Sequence, residues 1–115
     1  MKYPGQIVLF KFPQTDLRPG KSRPALLISE LPGQYDDWLI CMISTQLRHY
    51  IQGFDEVLKI SDSDFLDSGL KKPSVIRVGR LAVVNEDVLL GAIGEISSNR
   101  LQRVKSHLAE WIAQS

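Results

Sequence analysis

At 115 residues, with 43% hydrophobic and 23% charged residues and a net charge of +1, the chain has the size and composition of one folded domain spanning 1–115. So small a net charge excludes the uniformly basic surface that announces a nucleic-acid binder by composition alone. No apolar run approaches the roughly 20 residues of a membrane helix, no signal-peptide h-region follows Lys2, and Cys41 is the only cysteine; a cytoplasmic protein with one buried, inert thiol is expected.

Short runs rich in Val, Ile, Leu and aromatics succeed one another: QIVLFKF (6–12), PALLIS (24–29), WLICMIS (38–44), DEVLKI (55–60), SVIRVGRLAVV (74–84) and VLLGAIGEI (88–96). Gly, Pro, Asp or Ser separates them, the pattern of an antiparallel sheet closing on itself. The link between the first two, with Pro13, Pro19 and Gly20, is long for a hairpin and of the kind that often carries function. Within SDSDFLDSG (61–69), Ser61 or Asp62 offers a cap and Gly69 a stop, which predicts a short helix. Leu101, Val104, Leu108, Trp111 and Ile112 then recur at steps of three and four behind Ser97 and Ser98. This predicts an amphipathic helix of about four turns, with Arg100, Arg103 and Lys105 left in water.

Charge is grouped. Basic residues gather at 11–23, 71–80 and 100–105, acidic ones at Asp36 and Asp37, at Asp55 and Glu56, and at Asp62, Asp64 and Asp67. Any one group is simplest as a solvated loop tip. There is no Walker loop, GxGxxG, CxxC or HExxH pattern, and His49 and His107 are far apart, so neither a metal nor a cofactor is expected. His107 reads as a surface residue of the helix; His49, in QLRHYIQG, sits in a loop within reach of a ligand.

Several cations and hydroxyls stand at strand ends: Arg23 before PALLIS, Ser44 and Thr45 after WLICMI, Arg77 within SVIRV. Taken singly these are an ion pair with Asp16, a strand-ending turn and an edge-strand charge. Taken together they match an anion site, since a guanidinium presents a planar fork of donors to a phosphate and hydroxyls supply more.

GQIVLFKFPQTD, SRPALLIS, ICMISTQ and KKPSVIRVGRL, in that order, resemble the MazF/PemK (Kid-like) toxins of type II toxin–antitoxin systems, with the likeness spanning 5–112. The resemblance implies a mainly-β, SH3-like antiparallel barrel with a short helix and a C-terminal amphipathic helix. It implies a homodimer, a cognate antitoxin chain, and a metal-independent endoribonuclease cutting single-stranded RNA at short sequences. By position, Arg23 matches the arginine of the Arg-Pro motif, Ser44 with its neighbour Thr45 the hydroxyl strand end, and Arg77 the later arginine. Two departures bear on the base. Arg18 stands where some members carry an acid, and Gly79 where Kid-like members carry an aspartate; Asp16, in a TDL loop found in other branches, is the candidate substitute. Arg18, Lys21, Gln46, Arg48, His49, Tyr50 and Arg80 complete the expected RNA-binding set, with Tyr50 the candidate to stack on a base. DNA, lacking the 2′-hydroxyl, is expected to bind uncut. The alternative is a binding module of the same barrel type, either docking on a protein as the gyrase-inhibiting toxins do or a degenerate toxin holding RNA without cutting it.

Overall fold

The computed structural model describes residues 1–11 and 22–115. The predicted strands form: β1 Gln6–Lys11, β2 Ser22–Glu30, β3 Asp37–Ser44, β4 Glu56–Leu58, β5 Ser74–Asn85 and β6 Leu89–Glu95, followed by α1, Ser98–Gln114. They make one six-stranded sheet in the order β4-β5-β3-β2-β1-β6, antiparallel at each neighbouring pair. The ladder is not a closed barrel. Among the described residues β4 and β6 are its edges, and β4 is three residues long.

Backbone from the 61–69 segment occupies the β6 edge. The Glu95 N–H donates to the Asp67 carbonyl at 2.9 Å. A Cβ on Gly94 would strike the backbone of Asp67 and Ser68, and one on Gly69, at φ +73°, would strike Ile93. Only glycine permits so close an approach there. The short helix expected over 61–69 is instead a run of turns, while single 3-10 turns occur at Leu47–His49 and Glu86–Val88. The physical reason is competition: Asp64 gives its carboxylate to Ser97 and Arg100, Asp62 divides its own between the nearby Lys59 N–H and Arg100, and the Ser68 hydroxyl bonds back to the Phe65 carbonyl.

Strand alternation sorts the core. Ile7, Leu26, Ile28, Cys41, Ile43, Ile76 and Val78 face α1, where Val104 and Leu108 pack on them. Val8, Ala25, Leu27, Trp38, Ile40 and Leu89 form a second cluster on the opposite face. Cys41 is fully buried, and burial, with Asp55 adding to it, pushes its thiol pKa up, as an inert thiol requires. Ser97 caps α1 by accepting the Arg100 N–H at 3.1 Å. Trp111 is 47% exposed and meets Phe54 edge-on at 5.7 Å.

Arg100 departs from its expected place in water: it is 6% exposed. Its Nε and Nη2 grip Asp64 at 2.9 and 3.1 Å, Nη2 also reaches Asp62 at 3.1 Å, and Nη1 reaches Glu56 at 3.1 Å and the Val57 carbonyl at 3.0 Å. Every guanidinium N–H has an acceptor. Burial alone would raise the Asp64 pKa, but the Arg100 bonds and the Ser97 N–H outweigh it and hold the carboxyl at about 2. His107 is likewise half-buried, its Nδ1 bonded to the Phe54 carbonyl at 2.7 Å; since a carbonyl only accepts, Nδ1 carries the proton. Arg103, in the exposed position expected for it, pairs with Glu56 at 3.0 Å.

Replacing Arg100 with Met leaves three carboxylates without their shared cation, and a loss of about 3–5 kcal/mol in urea unfolding is expected. Because the folded pKa of Asp64 lies below the unfolded 3.8, its contribution is present above that value and is lost as pH falls toward 2. The unfolding free energy should therefore drop between about pH 4 and 2, by up to about 2 kcal/mol, and Asp64→Asn should flatten that fall.

Candidate active site

A register fault in β5 builds the site. Met42 pairs with Arg77 but its neighbour Cys41 pairs with Leu81, so Val78, Gly79 and Arg80 are extra residues on β5 with no counterpart on β3. This is an enlarged β-bulge, a device that bends a strand and re-aims its side chains. The Val78 N–H donates to Asp55 Oδ1 at 3.0 Å, while Asp55 Oδ2 accepts from the Ile51 N–H at 3.0 Å. Asp55 is 4% exposed, so its carboxylate satisfies the bulge and pins the 51–55 loop to it. Gly79 admits the Phe54 ring, whose Cε2 would lie 3.1 Å from a Cβ.

Parity supplies the remaining wall. Ala25 pairs with Met42, and Arg23 and Ser44 each lie two positions further along their own strands. Arg23 follows the face of Ala25 and Leu27, Ser44 that of Ile40 and Met42, and Arg77 lies opposite in sense to Ile76 and Val78. The face that is apolar in its middle thus becomes cationic at one end. There Arg23, Ser44, His49, Arg77 and Arg80, with Met42, Ile43, Gly79 and Leu81, line a concavity of about 480 Å³.

Ser44 organises the edge of this hollow. Its Oγ accepts the Gln46 N–H at 3.0 Å and lies 3.1 Å from His49 Nδ1, while Arg48 donates to Gln46 Oε1 at 3.2 Å. The 3-10 turn at Leu47–His49 folds the chain back so that the histidine faces the strand end it has just left. No carboxylate lines the hollow among the described residues, and none of Arg23, Arg77 and Arg80 pairs with one there. Partial desolvation first, then the charges of Arg77, Arg48 and Arg80, lower the His49 pKa below 6.5, so the ring is neutral at pH 7.

Of the expected residues, Arg23, Ser44, His49, Arg77 and Arg80 come together. Thr45, Gln46 and Arg48 are exposed beside it without lining it. Tyr50 faces a separate hollow with Glu56, Lys59, Asp62 and Arg103. Asp16, Arg18 and Lys21, with the Pro13–Pro19 link, lie outside the described residues. Asp55 was not among the expected residues; its signal was a carboxylate directly after the apolar Phe54 at the start of an apolar run, with a glycine inside the later strand 74–85.

The model of the PemK-like, MazF-like toxin of type II toxin–antitoxin systems matches residues 3–112. The chain belongs to this family. Solved MazF structures share its fold. A mycobacterial endoribonuclease in complex with its cognate antitoxin superposes with a TM-score of 0.71 at 14% identity, covering 100% of this chain and 98% of that one. MazF of a MazE–MazF crystal from Deinococcus radiodurans gives 0.67 at 19% identity, covering 96% and 95%. Mycobacterium tuberculosis toxin MazF-mt6 gives 0.65 at 16%, covering 94% and 96%. No curated protein matches the sequence. As in a MazF-like toxin, mainly-β architecture and a C-terminal helix are present, and among the described residues no helix is long and apolar enough to cross a membrane.

The His49 ring should titrate below 6.5 by NMR, and Arg77→Ala, which removes the largest charge acting on it, should raise that midpoint.

Proposed function

We propose that this MazF-like toxin is a metal-independent endoribonuclease that cleaves single-stranded RNA at short sequences. The observation that carries the reading is the convergence of Arg23, Arg77 and Arg80 with the Ser44 hydroxyl on one open concavity. In RNA the 2′-hydroxyl attacks the adjacent phosphorus, charge accumulates on the phosphorane oxygens, and the 5′-oxygen leaves. A fixed cluster of guanidinium groups stabilises that charge more in the transition state than in the ground state. Arg23 and Arg77 are the groups for the non-bridging oxygens, and Ser44 adds a donor that fixes the phosphate in place. Arg80, Gln46 and Arg48, around the same hollow, hold the flanking phosphates, with Thr45 and Tyr50 further out along the strand's path. DNA binds by the same charges but lacks the internal nucleophile.

The mycobacterial and Deinococcus structures hold their toxins with antitoxin chains. We extend that to a cognate antitoxin for this toxin and to a homodimeric state. An acidic segment of the antitoxin lying over the cationic hollow would compete with RNA for the same arginines.

In excess EDTA, the wild-type protein should cut a long single-stranded RNA into discrete fragments ending in 2′,3′-cyclic phosphate. Arg23→Ala should slow this on the order of 100-fold to 1000-fold. RNA that stays intact yet shifts on a gel would leave a binding protein, and neither cleavage nor binding would point to a protein target.

A further inference from the structure

We propose that His49 is the group that removes the 2′-hydroxyl proton in RNA cleavage, with Ser44 as the residue that positions it. The inference rests on the endoribonuclease reading above and names the one function that the arginines of the site cannot perform. A guanidinium stays protonated at any physiological pH, so Arg23, Arg77 and Arg80 stabilise charge but accept no proton. Among the described residues lining the hollow, His49 is the only side chain basic enough to take a proton near neutrality.

Its geometry suits the task. Nδ1 lies 3.1 Å from Ser44 Oγ, and that oxygen already accepts the Gln46 N–H at 3.0 Å. With Nδ1–H donating to the second lone pair of Oγ, the hydroxyl hydrogen of Ser44 is left to donate to a phosphate oxygen. The Nε2 lone pair is then left unprotonated for the substrate. Among the described residues the charged groups facing the ring are all cations: Arg23 from β2, Arg77 and Arg80 from β5, and Arg48 from its own turn. They keep the ring neutral, the form a base requires, and a phosphate bound among them brings its neighbouring 2′-hydroxyl to the same hollow.

The step balances. Nε2 takes the 2′-hydroxyl proton as the P–O2′ bond forms and the P–O5′ bond breaks. The departing 5′-oxygen takes a proton from a water molecule in the open hollow, and the imidazolium returns its own to solvent. The products are a 2′,3′-cyclic phosphate and a 5′-hydroxyl.

The test is single-turnover cleavage of an end-labelled single-stranded RNA in EDTA, followed from about pH 5 to about pH 9. The wild-type rate should climb about tenfold per pH unit on the acid side and level off below pH 6.5. His49→Ala should lose about 100-fold to 10,000-fold in rate, lose the acid limb, and regain rate when imidazole is added. Ser44→Ala, which retains the imidazole, should keep the limb with its midpoint displaced. A His49→Ala protein that cuts at the wild-type rate, or that keeps the acid limb, would overturn the role of His49 while leaving the nuclease reading intact. Wild-type protein that leaves the RNA whole at every pH would overturn both.

Discussion

The site depends on one buried hydrogen bond, from the Val78 N–H to the Asp55 carboxylate. β5 carries three residues more than β3 has places for between Met42 and Cys41, and an unpaired strand N–H in a dry interior is costly. Asp55 removes that cost and in the same act holds the loop bearing Phe54 against Gly79. Without the bulge, Arg77 and Arg80 would differ by three strand positions and point to opposite faces. With it, both line one hollow.

A net charge of +1 hides a division of labour between cations. Arg100 and Arg103 are neutralised by Glu56, Asp62 and Asp64 beneath the helix. Arg23, Arg77 and Arg80 stand in a hollow with no carboxylate among the described residues. Acidic residues are thus concentrated where they tie the helix to β4, and the hollow on β2, β3 and β5 keeps a local positive field for an anion. Total charge is silent about such a field, because focusing depends on which charges share a concavity.

The strands were legible because alternation and turn residues agree at every run, and the order of Arg23, Ser44 and Arg77 at strand ends marked their common face. Closure of the sheet was not legible: whether an edge is paired or covered depends on Gly69 and Gly94 meeting backbone from a remote segment. The turns at 61–69 defeated a reading from local capping because the Asp64 carboxylate serves groups more than 30 residues away. Arg100 was misjudged as a wet residue on charge alone, although its spacing from Val104 and Leu108, four and eight positions, already put it in the buried row of the helix. Tyr50 sits next to His49 in sequence but on another hollow, since the 3-10 turn ends between them.

The Arg100 cluster also sets an order of events during synthesis. Glu56, Asp62 and Asp64 leave the ribosome some forty residues ahead of the guanidinium that neutralises them, and until it arrives their mutual repulsion opposes docking of the 56–69 region. A nascent chain stopped short of residue 100 therefore has its arginine hollow encoded but not its fold secured.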